Sequence, residues 1–209
     1  MLNITTFLDA NSKRLDKDVL YNPTTGNKYN SRELLSIVSE IGRNLKDLGI
    51  SKGDRVIIYL NNSEEYLLSL FAIWRIGAIA IPTNRIMTAV ELDYLADDSK
   101  AKLMITDNEG KDLIDIDTYI PENISEYKDC EVLDAENTDW DDLCQLQYTS
   151  GTTGTPKGVL HEYGNLERCK ESANYLGEEI FDSGERFALA APLNFVASTM
   201  VLSYGLYRG

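Results

Sequence analysis

The sequence predicts an α/β fold with a mainly parallel sheet flanked by helices. Two observations carry this. Short, nearly continuous apolar runs alternate with stretches of helical periodicity, and the helical stretches open on their own capping residues. Alternation at these lengths is the pattern of βαβ units, whose helices cover both faces of parallel strands.

The elements follow in order. Val19–Tyr21 and Lys28–Tyr29 flank the turn-rich Asn22-Pro-Thr-Thr-Gly26, which predicts a small hairpin. Asn30 and Glu33 stand three apart, as an N-cap and its reciprocal partner do, and Leu34, Ile37, Val38, Ile41, Leu45 and Leu48 follow at helical spacing. Gly49 suits the left-handed position after that helix. Arg55–Leu60 is a near-continuous apolar run, as expected of a strand covered on both faces. Ser63 caps a second helix, with Tyr66, Leu67, Leu70, Phe71 and Trp74 on its apolar side; Gly77 ends it before a short buried strand, Ala78–Ile81. Thr88 and Glu91 form another capping box, opening a helix to about Ser99. Leu103–Thr106 and Leu143–Tyr148 are strand candidates. A helix is expected to start near Asn165, Phe187–Ala191 is a further strand candidate, and Val196–Tyr207 is apolar and uncapped. With no polar closing element before Gly209, the chain is expected to be cut from a larger domain.

The 209 residues carry a formal charge of −14. That balance argues against nucleic acid and anionic membrane surfaces as partners, since both are met by cationic groups. The charge is concentrated: between Asp107 and Asp142, 14 acidic residues face two lysines, and the rest of the chain is nearly balanced. This stretch is a solvated acidic surface or a cation- or partner-docking patch, and it contains no D-x-D-x-D-G calcium loop. It is the one internal boundary expected, giving an α/β subdomain over 1–142 and the start of a second over 143–209.

Cys130, Cys144 and Cys169 are odd in number and lack C-x-x-C spacing, and His161 is the single histidine, so no zinc site is expected. The N-terminus shows no signal-peptide pattern, and the most apolar stretch, Leu67–Pro82, is shorter than the roughly 20 residues a membrane-spanning helix needs. Together these features predict a cytoplasmic protein without a membrane span.

The chemistry is concentrated in Tyr148–Val159, which reads Tyr-Thr-Ser-Gly-Thr-Thr-Gly-Thr-Pro-Lys-Gly-Val. Glycines let backbone N–H groups turn toward an anion, hydroxyls donate further hydrogen bonds, and Lys157 supplies a point charge. A polyphosphate fits such a loop. A plain surface loop of glycine and threonine is the alternative reading of the residues. The string is neither the Walker A pattern nor G-x-G-x-x-G.

This string resembles the phosphate-binding signature of the adenylate-forming (AMP-binding) superfamily of acyl-CoA synthetases, luciferases and peptide-synthetase adenylation domains. Trp74-Arg-Ile-Gly-Ala-Ile-Ala-Ile-Pro-Thr-Asn84 is similar to an early element of that family, Asn30–Leu60 to its opening helix and strand, and Ala191–Ala197 to the segment that begins its acyl pocket. The resemblance implies the N-terminal part of the adenylate-forming fold, in the acid–CoA ligase branch. Such an enzyme joins a small carboxylic acid to AMP from ATP, with magnesium, releases pyrophosphate and passes the acyl group to coenzyme A. It implies that Thr149, Ser150, Gly151, Thr152, Thr153, Gly154, Thr155 and Lys157 hold the phosphates, that Lys157 is catalytic, and that Asn194 and Phe195 line the substrate pocket.

Two departures stand out. Many members read Thr-His-x-Asn-Leu after the loop, where this chain has Glu162-Tyr-Gly-Asn-Leu166, and His161 lies earlier, as a structural or a catalytic residue. Many acyl-CoA members have a histidine near the place of Phe195, which is here a pocket wall hinting at an aryl or short apolar acid, or an ordinary core aromatic. Family members are more than twice this length, so the resemblance implies a fragment that is inactive alone and whose remainder is missing. A non-catalytic binding or scaffold subunit, completed by a second polypeptide, is the alternative.

Overall fold

A computed structural model describes residues 3–13, 17–149, 156–168, 191–198 and 201. The chain opens with a helix, α1 (Thr6–Ser12), followed by an antiparallel hairpin of β1 (Asp18–Tyr21) and β2 (Lys28–Asn30). The hairpin turn is held from outside itself: the Glu64 carboxylate accepts from Asn22, from Thr25 Oγ1 at 3.1 Å and from Asn27 Nδ2 at 2.8 Å. Helix α2 (Ser31–Asp47) starts on the expected capping box. Asn30 Oδ1 accepts from the N–H groups of Arg32 and Glu33, and Glu33 Oε2 accepts from Asn30 N–H at 2.8 Å. Gly49, at φ 84°, lets the chain leave that helix without a Cβ penalty.

Then come β3 (Arg55–Ile58), α3 (Glu64–Arg75), β4 (Ile79–Pro82), α4 (Ala89–Ser99), β5 (Leu103–Ile105) and β6 (Thr118–Tyr119). A 3-10 turn at Ile124–Tyr127 leads toward β7 (Leu143–Thr149) and β8 (Lys157–Glu162). The main sheet has the order β6-β5-β3-β4-β7-β8, parallel throughout except for the β7–β8 pair.

Strand periodicity distributes the core. Val56 and Ile58 join the cluster formed with α1, α2 and α3, while Ile57 and Tyr59 join the one formed with α4. Successive residues of β3 therefore face opposite, equally buried sides, which is why its sequence is a continuous apolar run rather than an alternation. The α4 box is present as expected: Thr88 Oγ1 accepts from Glu91 N–H, and Glu91 accepts from Thr88 N–H.

Three features depart from the sequence reading or lie beyond it. Helix α1 has no counterpart there; it lacks a side-chain cap, and tertiary contacts hold it. Strand β8 is also unanticipated, so the glycine-rich loop joins two antiparallel strands, and helical structure begins at residue 163 only after β8. Just after the position expected as a boundary, β7 pairs with β4 and so joins the same sheet. The last part of the acidic stretch runs as a strap past the end of α3, where its backbone is anchored at Leu133 and Glu136, and most carboxylates of the stretch are exposed. Residues 187–190 of the expected strand lie outside the described residues, and of 196–207 only 196–198 and 201 are described, as helix.

Candidate functional site

The carboxyl ends of β3, β4, β5 and β7 share one edge of the sheet, because these strands are parallel. The connection after β3 runs through α3 to β4. The connection after β4 runs through α4, on the opposite face, back past β3 to β5. Strand order thus reverses between β3 and β4, and such a reversal opens a crevice at the carboxyl edge where ligands bind in open α/β sheets.

Short polar side chains stitch this edge together. Thr83 donates to Ile58 C=O through both its N–H (3.0 Å) and its Oγ1 (2.7 Å), and Thr106 Oγ1 donates to Tyr59 C=O at 3.1 Å. Asn62, in the loop after β3, binds a distant segment twice: its Nδ2 donates to Ala191 C=O at 3.3 Å and its Oδ1 accepts from Leu193 N–H at 2.9 Å. Leu193 is buried in the α3-side core, so the 191–198 segment is fixed to that face at the carboxyl edge. Asn194 and Phe195 lie in it. Asn194 is half-buried, and Phe195 is 53% exposed among the described residues.

The stems of the glycine-rich loop are Thr149 and Lys157, which face each other in the β7–β8 ladder, with Thr149 Oγ1 3.5 Å from Lys157 C=O. Tyr148 and Leu146 pack on the α4 side, so the alternation of the strand places Thr149 and Lys157 on the α3 side, the face that carries the 191–198 segment. Lys157 is exposed. Gly158 sits opposite Tyr148, and a Cβ there would lie 2.7 Å from Leu146 Cδ1 and 3.5 Å from Tyr148 Cζ. A side chain at that position would require Leu146 to shift. Ser150, Gly151, Thr152, Thr153, Gly154 and Thr155 lie outside the described residues.

His161 belongs to the β-ladder, opposite Gln145. Burial pushes its imidazole below the ordinary value, favouring the neutral form, and its C=O accepts from Cys144 Sγ at 3.3 Å. The Cys144 thiol is itself pushed well up by burial, which keeps it protonated. Among the described residues, no group of three or more His, Cys, Asp or Glu side chains is placed to hold a metal ion, and no helix is long and apolar enough to cross a membrane.

Sequence reasoning missed Asn62 and Asp98. Asn62 reaches across more than a hundred residues. Asp98 Oδ2 accepts from Tyr148 OH at 2.5 Å, and neither contact has a signature in local spacing.

Fold and site together define an α/β domain that presents a glycine-rich loop at the carboxyl edge of a parallel sheet. The profile of the family described as AMP-binding enzyme matches residues 7–209, and the chain belongs to that family. It is 34% identical over 172 residues to a feruloyl-CoA synthase of an Amycolatopsis species, covering 79% of this chain and 34% of the synthase. Among solved structures, the inhibitor-bound N-terminal domain of FACL13 from Mycobacterium tuberculosis superposes with a TM-score of 0.86 at 24% identity, over 100% of this chain and 56% of that one. The anthranilate CoA ligase AuaEII, in complex with anthranoyl-AMP, superposes with a TM-score of 0.83 at 25% identity, over 98% of this chain and 42% of the ligase. The chain spans about a third of the length of the curated relatives it matches first.

Proposed function

We propose that this chain is the N-terminal part of an ATP-dependent acid–CoA ligase. The complete enzyme converts a small carboxylic acid and ATP to an acyl-adenylate and pyrophosphate, then transfers the acyl group to coenzyme A. The observation that carries this reading is the Thr149–Lys157 pair, which mounts a glycine- and hydroxyl-rich loop at the carboxyl edge of β7. Both stems fit a polyphosphate: Lys157 as an exposed point charge and Thr149 as a hydroxyl donor, with Ser150 to Thr155 supplying further N–H and O–H groups. Their work is electrostatic, since donors aimed at the departing pyrophosphate stabilise the charge that develops on it.

Magnesium fits this donor set as a companion of the nucleotide. It keeps its waters and binds substrate phosphates rather than a dedicated protein cage, so the hydroxyl-rich loop meets it through ATP. Asn194 and Phe195 form part of the wall for the acid, and the exposed Phe195 ring favours an aryl or short apolar substrate.

The chain alone is inactive in this account, because phosphate contacts without the remainder of the enzyme do not orient acid and nucleotide for attack. Acid-dependent ATP–pyrophosphate exchange across a panel of aryl and short apolar acids is the test. The polypeptide translated from the complete reading frame should exchange, and the 209-residue chain should not. Equal exchange by the 209-residue chain contradicts inactivity, and no exchange by the complete polypeptide with any acid contradicts the ligase assignment.

A further inference from the structure

Helix α4 reaches both stems of the glycine-rich loop from the face opposite Lys157. Asp98 Oδ2 accepts from Tyr148 OH at 2.5 Å, a short charge-assisted hydrogen bond to the residue just before Thr149. One helical turn earlier, Tyr94 OH donates to Pro156 C=O at 3.4 Å, a longer and weaker contact to the residue just before Lys157. Tyr94 and Asp98 are four apart, so they lie on one side of the helix and address the two stems together.

We propose that Asp98 is a positioning residue for nucleotide phosphates, acting through Tyr148, with Tyr94 as a lesser brace on the other stem. This rests on the reading of the loop as an ATP-phosphate site. Fixing Tyr148 fixes the end of β7, and with it the direction in which the Thr149 hydroxyl leaves the sheet. The Thr149–Lys157 rung is the last one described in the antiparallel pair, and without an anchor terminal rungs fray. A phosphate ligand must then order the stems as it binds, which lowers its affinity.

The test uses the polypeptide translated from the complete reading frame and two readouts. The first is amide hydrogen exchange at 148–149 and 157–158 without ligand. D98A and Y148F should each speed it about tenfold relative to β3 and β5, the double variant should be no worse than either single one, and Y94F should act in the same direction by about threefold. The second is MgATP affinity by calorimetry. D98A should weaken it about tenfold, whereas D98N, whose amide oxygen still accepts from Tyr148, should remain within about threefold of the parent. Unchanged exchange in D98A overturns the anchor. Faster exchange with unchanged affinity, or D98N as weak as D98A, overturns the positioning role. If the parent chain binds no MgATP while D98A still speeds exchange, the ATP reading falls and takes the positioning role with it, leaving a purely structural anchor.

Discussion

Arg75 and Asp9 form a two-point ion pair: Nη2 lies 2.8 Å from Oδ1 and Nη1 3.1 Å from Oδ2. The guanidinium has no exposed surface, while the carboxylate is about a third exposed. Arg75 Nε also donates to Leu133 C=O at 2.5 Å, and Arg75 C=O accepts from Glu136 N–H at 2.7 Å. One residue thus ties α1, the end of α3 and the acidic strap to each other, behind the sheet that carries the loop.

The unequal burial of the pair predicts unequal costs. Asp9→Ala leaves a fully buried cation without its counter-charge and should cost about 3 kcal/mol, the low end for a broken buried pair because water can enter where Asp9 stood. Arg75→Met leaves a carboxylate that water resolvates, with one carbonyl orphaned, and should cost about 1–2 kcal/mol. Urea unfolding at neutral pH, compared at equal slope, checks the order; Arg75→Met as the more damaging change contradicts it.

Gly77 predicts a second asymmetry. Its φ is 70°, and a Cβ would lie 3.0 Å from Glu136 Cγ and 3.1 Å from Lys52 Cγ. Gly26 has a similar φ of 79° with nothing within 4 Å. Gly26→Ala should therefore cost only the left-handed penalty of about 1–2 kcal/mol, and Gly77→Ala that penalty plus displacement of the strap. Thermal unfolding of the two variants measures the difference, and equal losses contradict the close approach.

The parts of the fold that could be read from sequence are those whose causes are local. The Asn30–Glu33 and Thr88–Glu91 boxes and the unbroken apolar run of β3 carry their structural reason in their own spacing. Helix α1 does not: Thr5 makes no cap, and the helix is placed by Asn3, whose Nδ2 donates to Trp74 C=O at 2.7 Å, and by Arg75. Strand β8 was hidden because its first four residues are exposed and Pro156 and Gly158 read as breakers; pairing with β7 makes it a strand. At the site, the chemical string was legible as residue types, and Thr149 and Lys157 stand on adjacent strands as its stems. Asn62 and Asp98 were not legible, because their partners come from sheet topology rather than from neighbours in sequence.

Glu64 predicts a pH dependence. Burial pushes its carboxyl up, but hydrogen bonds from Asn27, Asn22, its own backbone N–H and Thr25 together outweigh burial and hold it below the ordinary 4.5. The folded chain then binds this proton less readily than the unfolded chain. The ionised group's contribution is complete above the ordinary value and is lost as pH falls through the folded value. Stability should decline from about pH 5 downward, and Glu64→Gln should lose part of that slope. Urea midpoints across the acid range for parent and variant check this; parallel curves contradict it.

The central claim is that the Thr149–Lys157 stems mount a loop for the phosphates of ATP. Calorimetric titration of the polypeptide translated from the complete reading frame with MgATP, with and without Lys157→Ala, decides it. Binding should be saturable, competed away by pyrophosphate, and weakened by about tenfold or more in Lys157→Ala, as expected for loss of a charge-assisted contact. No saturable binding by the parent chain, or equal affinity in Lys157→Ala, would contradict it.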